Sequence, residues 1–446
     1  MVLPLYIKTA VFYLEKAGFE AYAVGGCVRD SILMKNPNDW DLCTNALPEE
    51  ICEVFKDFHV IETGLKHGTV TVRIEHNSIE ITTFRADGEY ADHRRPTGVS
   101  FVKSLTEDLS RRDFTVNALA FSEGKGIIDL FDGKSDLENK IIRCVGDAKK
   151  RFEEDALRIL RALRFSACLG FEIEEETSEA IFGKVHLLKE ISGERIREEL
   201  LKMLCGVNAE SVLLKYREII GVIIPEMKET FDFKQVNPHH CYDVYSHIVK
   251  SVSCLEGDGV LKMVMLLHDI GKPETVTIDE KGESHFKMHP TVSCELSRGI
   301  LNRLKFDNKS KDKILNHISE HDNRFPAVRK SVRRFIAKHG FDFFFEHLQI
   351  RLADTLAQSG YKREEKLYEL SEKKRIGQEL LNEKASLDIK SLEIDGRILM
   401  NEGYLEGRLL GEIIKDCFEA VVDERIKNEK RVLLEYVSER YGNNRR

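Results

Sequence analysis

The hydrophobic period changes once along this chain, and that change limits what it can fold into. Up to about residue 121 short apolar pieces alternate with turn signals. AYAVG (21–25) reads as a strand, CVRDSILM as a helix and DWDLCT as a short strand. GTVTVRI and SIEITTF, joined through His76-Asn77, read as a β-hairpin. From about Asp147 onward almost every segment repeats at 3.6 residues. RFEEDALRILRALRFSACLGF is the cleanest case, with Phe152, Leu157, Leu160, Leu163 and Cys168 toward one side of a helix. The pattern predicts an α+β head followed by an all-helical remainder.

At about 150 residues per domain, 446 residues make roughly three domains. Joints are expected near 122–146, 229–238 and 360–390, where EEKLYELSEKKRIGQELLNEKAS reads as an exposed charged helix. No apolar run approaches the ~18 residues of a membrane span. The N-terminal MVLPLYIKTAVFYLEKAGFE carries charge through its apolar stretch and reads as an amphipathic helix rather than a signal peptide. Ten cysteines occur singly, with no CxxC, as suits reduced thiols. The expectation is a cytoplasmic protein with no membrane partner.

The net charge of −8 argues against a uniformly basic nucleic-acid binder. Its basic residues nevertheless cluster. Between Arg143 and Arg164 seven Lys/Arg face four acids, which charge alone explains equally well as a solvated helix face.

GGCVRD (25–30) is followed, nine residues after Asp30, by Asp39-Trp40-Asp41. Residues two apart on a strand point the same way, so both carboxylates should leave one face. Two hard oxygen donors side by side suit Mg²⁺ bridging a nucleoside triphosphate. Gly25 and Gly26 would let backbone N–H groups approach phosphates, and Arg29 adds a charged donor. Glu80, in IEITTF, is either a third carboxylate near the metals or a solvated strand residue.

GGCVRD with the DWD pair resembles the signature of class II tRNA nucleotidyltransferases, the CCA-adding enzymes of the polymerase-β-like nucleotidyltransferase superfamily. Further blocks match in order: RADGEYADHRRP (85–96) resembles their flexible loop, RRDFTVNA (111–118) the second motif and DLFDGKSDLENKIIR (129–143) the hinge block. EEDALRILRALRF (153–165) is similar to the nucleotide-selecting helix and SGERIREEL (192–200) to the neck motif.

The resemblance implies a nucleotidyltransferase head at 1–146, a neck and nucleotide-selecting helical domain at 147–230, an HD-type helical body at 231–360 and a helical, tRNA-docking tail at 361–446. It further implies that Asp39 and Asp41 hold the catalytic Mg²⁺, and that Gly26, Arg29 and Arg112 contact the nucleotide's phosphates and sugar. Asp155 and Arg158 would read its base. A carboxylate accepts from an exocyclic amine and a guanidinium donates to ring acceptors, so the pair can imitate a Watson–Crick partner of C or A. Three apart on a helix, the two would be neighbours. Arg161 and Arg164 continue that spacing but drift about 60° per step, toward the triphosphate or the helix's packing.

Where poly(A) polymerases of the superfamily carry an arginine-rich stretch, this chain has TGLKHGTVTV (63–72), which disfavours poly(A) synthesis. The implied reaction is template-independent addition of C, C and A to the tRNA 3′ end from CTP and ATP, with release of pyrophosphate. The alternatives are A-addition alone, beside a separate CC-adding partner, or hydrolysis at a second site as the chief activity.

That second site is a downstream series: His247, His268-Asp269 in LLHDIGKP, His289 in HFKMHP, His321 and Asp354 in RLADTLAQ. The order resembles an HD-domain phosphohydrolase, whose imidazole and carboxylate ligands would take a divalent transition metal. His317, four residues before His321, competes with it as a ligand, and the family pattern favours His321.

Overall fold

The computed structural model describes residues 1–62, 64–65, 68–87 and 99–442. Two compact units divide it: Met1–Pro225 with Arg303–Lys305, and Glu226–Asn302 with Phe306–Arg446.

The first unit is built on a sheet of β1 (Ala21–Val24), β2 (Asp41–Thr44), β3 (His59–Ile61), β4 (Thr69–Ile74), β5 (Asn77–Thr83), β6 (Leu119–Ser122) and β7 (Gly126–Asp129). The spatial order is β3-β4-β5-β2-β1-β6-β7. All neighbours are antiparallel except β2 and β5, whose parallel register sets Asp41 opposite Glu80. The expected hairpin is β4–β5: Val70, Val72, Ile74, Ile79 and Ile81 alternate inward, as period-two burial requires. Glu75 turns it with φ +55°.

Helix α1 (Leu5–Lys16) precedes β1, and α2 (Gly26–Ile32) follows it directly. Of the loop block 85–96, Arg85–Asp87 pairs with Val99–Phe101, and residues 88–96 lie outside the described ones. Beyond the sheet come α3 (Ala148–Glu154), α4 (Leu157–Leu169) and α5 (Gly193–Leu204). Sequence periodicity runs straight through 152–168, yet the helix breaks at Asp155, which is extended (φ −139°, ψ 102°). Its Oδ1 accepts the N–H of Leu157 at 3.1 Å, a local side-chain bond that competes with helix continuation.

The second unit is almost wholly helical. Its main elements are α6 (Val244–Cys254), α7 (Gly259–Leu267), α8 (His289–Arg303), α9 (Asn308–Glu320), α10 (Arg329–His339), α11 (Phe341–Ala357) and α12 (Arg363–Asn382). α13 (Arg408–Val422) and α14 (Lys430–Tyr441) close the chain. Phe335, Phe344, Leu348, Ile376 and Leu380 pack one core of this unit; Leu399, Ile413, Cys417, Leu433 and Val437 pack another nearer the end. No helix among the described residues is long and apolar enough to cross a membrane.

Candidate active site

β1 turns into α2 through Gly25, whose φ of +81° belongs to the left-handed region that side chains avoid. A Cβ there would stand 2.9 Å from Nη1 of Arg112, and one at Gly26 would stand 3.6 Å from Nη2 of Arg29. Gly25 is therefore required by its φ and by the Arg112 guanidinium, whereas a Cβ at Gly26 would make only ordinary contact.

The carboxylates gather at the start of β2. Strand geometry begins at Asp41, so Asp39 does not share the strand as period-two reasoning expected. Buried Trp40 instead anchors the approach, and Asp39 reaches the site from the segment ahead of the strand. Glu80, opposite Asp41 in the β2–β5 register, supplies the third carboxylate of the group. Removal of solvent around it pushes the Asp41 carboxyl up to about 6; Glu80 and Asp39 add to the rise, and Arg112 opposes it.

The arginines are held by groups that sequence reasoning passed over. Nη1 of Arg29 donates to Asn117 Oδ1 at 2.7 Å, and its Nε donates to Asp30 at 2.8 Å. Fully buried Asp108 pairs with Arg111 at 2.7 Å and with Arg112 at 3.4 Å. Asp113 accepts from Arg161 Nε at 2.7 Å and from Asn117 Nδ2 at 3.3 Å. Burial alone would raise the Asp113 carboxyl; the Arg161 guanidinium overcomes it and holds the group at about 2. Glu199 on α5 pairs with Arg164 at 2.5 Å.

Asp155 and Arg158, the expected base-reading pair, are arranged differently from the helical neighbours that spacing implied. Asp155 occupies the break between α3 and α4, and its Oδ2 accepts from Arg195 of α5 at 2.8 Å. Arg158, 8% exposed, pairs with Glu154 at 2.5 Å and donates to the carbonyls of Arg151 and Arg111. The Arg158 backbone N–H donates to the Asp155 carbonyl at 3.0 Å, while the side chains make the contacts just named. Asp113 and Asn117 were visible within RRDFTVNA, and Arg195 and Glu199 within SGERIREEL. Their role as holders of other side chains had no signal in spacing. The basic run at 143–164 divides: Arg151, Arg158, Arg161 and Arg164 are ion-paired and at most a third exposed, while Lys149 and Lys150 are exposed.

The second unit brings together His247, His268, Asp269, His289, His321 and Asp354, all buried. Each imidazole Nδ1 meets a backbone carbonyl: His247 that of Ala357 at 3.3 Å, His268 that of Met265 at 2.8 Å, His289 that of Phe286 and His321 that of Ile318, both at 2.7 Å. With Nδ1–H donating, all four Nε2 atoms face inward. Burial works against a charge on His247, yet its hydrogen bonds to Asp269 and Asp354 push that imidazole up to about 9. His247 Nε2 lies 3.2 Å from Asp269 and 3.1 Å from Asp354; His268 and His289 Nε2 each lie 3.2 Å from Asp269. Nε2 of His289 and His321 are 3.0 Å apart.

Two sets of three ligand atoms, from His247, His268 and Asp354 and from His268, Asp269 and His321, lie within 4.8 Å of one another, and Lys272 Nζ stands 2.5 Å from Asp269 Oδ2. Converging imidazole nitrogens and carboxylate oxygens fit a cation. Burial works against the charge on Asp269, yet His268, Lys272 and His247 hold its carboxyl well below the usual range. A cavity of about 410 Å³ opens onto the cluster, lined in part by Lys272, Arg324, His240 and Tyr361. His317 turns elsewhere, its Nε2 2.9 Å from Glu346 and its ring stacked on Phe343 at 4.0 Å.

Residues 21–143 match the family described as "Poly A polymerase head domain", 170–231 that described as "Probable RNA and SrmB- binding site of polymerase A", and 289–437 the second domain of tRNA nucleotidyltransferases. A CCA-adding enzyme of Lactobacillus helveticus is 35% identical over 435 residues, 96% of this chain and 94% of the relative. The chain belongs to the CCA-adding enzymes. Another CCA-adding enzyme, of Enterococcus faecalis, is 53% identical over 205 residues, 46% of this chain and 50% of the relative. The crystal structure of the Bacillus stearothermophilus CCA-adding enzyme in complex with CTP aligns over 99% of both chains, with TM-score 0.73 and 27% identity. The Thermotoga maritima CCA-adding enzyme complexed with tRNA, at 19% identity and TM-score 0.57 over 98% of this chain and 96% of its own, shares the fold. As a CCA-adding enzyme the protein is a tRNA nucleotidyltransferase, and its α+β head with a helical remainder is the fold of that family.

Proposed function

We propose that this CCA-adding enzyme assembles its catalytic centre from Asp39, Asp41 and Glu80, and binds the incoming CTP or ATP through Gly26, Arg29, Arg112, Arg161 and Arg164. The β2–β5 register carries this reading, since it sets Glu80 beside an Asp41 whose carboxyl is already pushed up to about 6. Three hard oxygen donors short of positive charge fit Mg²⁺. Bound there, Mg²⁺ supplies a lowered pKa at the tRNA 3′ hydroxyl and charge neutralisation for the leaving pyrophosphate.

The chain's own residues do the rest. Arg29 and Arg112, seated over the glycine turn, donate to the phosphates and fix the α-phosphorus in line with the attacking hydroxyl. Asp155 accepts from the exocyclic amine of C or A, and Arg158 donates to a ring acceptor. U and G present a carbonyl where C and A present an amine, so Asp155 would face an acceptor and stay unpaired. Arg195 and the Leu157 N–H each occupy one lone pair of Asp155, leaving the carboxylate oriented but still able to accept.

Three labelled tRNAs, ending before CCA, after C and after CC, test the reading when each is offered CTP, ATP or both with Mg²⁺. All three should be completed to CCA with both nucleotides present. Extension of the CC-ended tRNA alone would make the protein an A-adding enzyme.

The anchored imidazoles favour a second centre in the body, with His247, His268, Asp269, His289, His321 and Asp354 holding a divalent transition metal. A metal there supplies an activated water for phosphoester hydrolysis. Metal analysis of the purified chain, with a phosphatase assay on Asp39→Ala, tests it: a metal-free chain without hydrolysis after Mn²⁺ or Ni²⁺ addition would end the reading. Residues 361–446 fit the tRNA-docking tail.

A further inference from the structure

Three guanidinium groups lie over one aromatic ring in the head. The centroid of Phe165 is 4.0 Å from the Arg164 guanidinium carbon, 5.4 Å from that of Arg29 and 5.5 Å from that of Arg161. Arg29 comes from α2, the other two from α4, so the ring is where the nucleotide-binding turn and the selecting helix meet. Phe165 is 7% exposed, and the ring of Phe114 fixes it edge-on at 5.7 Å and 77°.

Three like charges repel unless something holds them. Carboxylates supply part of the restraint: Asp30 on Arg29, Asp113 on Arg161 and Glu199 on Arg164. Glu199 also lies 3.9 Å from Arg161, and Asn117 links Arg29 to Asp113, so these polar groups hold the arginines by their edges. The ring is the one side chain in contact range of all three guanidinium groups, and the negative face of its π-system attracts the cations. We propose that Phe165 is a positioning residue for nucleotide binding: its π-face holds Arg29, Arg161 and Arg164 in one fan, ready for the triphosphate before it arrives. Donors fixed beforehand lose little freedom when the polyanion binds, so the effect falls on nucleotide affinity. The proposal rests on the reading of these arginines as phosphate ligands.

A purely apolar role for Phe165 makes a different prediction, and fluorination separates the two. Mono-, di- and trifluorophenylalanine at 165 keep the ring's shape while draining its face of negative charge. With the full chain, a CC-ended tRNA and Mg²⁺, the KM for ATP should climb stepwise along the series, to about tenfold for the trifluoro ring, with kcat changing less. The same climb is expected for CTP on a tRNA lacking CCA. A flat series, with Arg29→Ala and Arg164→Ala each raising KM, would overturn the proposal and leave the phosphate reading standing. Wild-type KM in both arginine variants would overturn the phosphate reading, and the proposal with it. Phe165→Leu, checked for folding by its thermal transition, should match the trifluoro variant in KM.

Discussion

The head and the body each gather carboxylates and cationic or basic groups, but they finish the arrangement differently. In the head, Asp39, Asp41 and Glu80 lie at the surface, with the Asp41 carboxyl partly desolvated, and the arginines are held by Asn117, Asp108 and Asp113. In the body, four imidazoles and two carboxylates are buried among helices at the floor of a cavity, pointing at one another, with Lys272 Nζ 2.5 Å from Asp269. An open site can admit and release a substrate at every cycle. A buried cluster of imidazoles and carboxylates is suited to a resident ion, because crowding polar atoms away from water is costly until a cation joins them.

The largest effect expected from breaking this comparison is on the head. Asp41→Asn should lower nucleotide transfer by about 10³-fold or more, because it removes a metal-holding oxygen that acts in the transition state. Its exposed position predicts a thermal midpoint close to wild type, measured by calorimetry. Next is the body's response to metal. Mn²⁺ or Ni²⁺ at 100 times its Kd should stabilise the chain by about 2.7 kcal/mol, and Asp269→Asn should remove that gain in a thermal shift measurement.

Acid should separate the units further. Burial pushes the fully enclosed His347 imidazole down to about 2, and Arg351 beside it acts in the same direction. A histidine lowered in the folded state is neutral there, while the unfolded chain takes up its proton near 6.5. Its share of stability is therefore whole above pH 6.5 and falls as pH drops, by about 1.4 kcal/mol per unit. At pH 5 His347→Phe should be about 2 kcal/mol less acid-sensitive than wild type in urea unfolding, and an equal loss in both would contradict this.

A smaller effect is expected at the selector. Arg195→Ala should release Asp155 and cut the CTP-over-UTP preference about tenfold, with Arg195→Lys recovering part of it. Smallest is the pH profile of transfer at limiting Mg²⁺. Asp41 must shed its proton to bind the ion, so metal affinity should rise with pH through about 6. Glu80 helps to raise that value, so Glu80→Gln should move the midpoint to lower pH by less than one unit, read from Mg²⁺ titrations at several pH values.

What was legible in the sequence follows from what period and spacing record. The β4–β5 hairpin and the α4 core face were plain because burial has a period, and Val70, Val72, Ile79, Leu160 and Leu163 obey it. The six body residues were named in order because His268-Asp269 and its companions sit at motif positions. The break at Asp155 was not legible, since Phe152 to Leu163 keeps helical spacing through it and one carboxylate-to-backbone bond decides the matter. Nor were Arg195 as the partner of Asp155, or Glu199 as that of Arg164, because α5 meets α4 through tertiary packing across about 40 residues of chain. Glu80 lay in between: its strand was predictable, but its neighbour became known only from the parallel pairing of β2 with β5.

In the body, three of the four rings are tied to the carbonyl of the residue three places earlier in the chain: His268 to Met265, His289 to Phe286 and His321 to Ile318. Their aim is thus set by main chain, not by the identity of any neighbouring side chain. Point substitutions around the cluster can accumulate over evolutionary time without turning a ring, whereas a one-residue insertion between ring and carbonyl would swing it away. Such a site should tolerate drift in composition and be intolerant of changes in length.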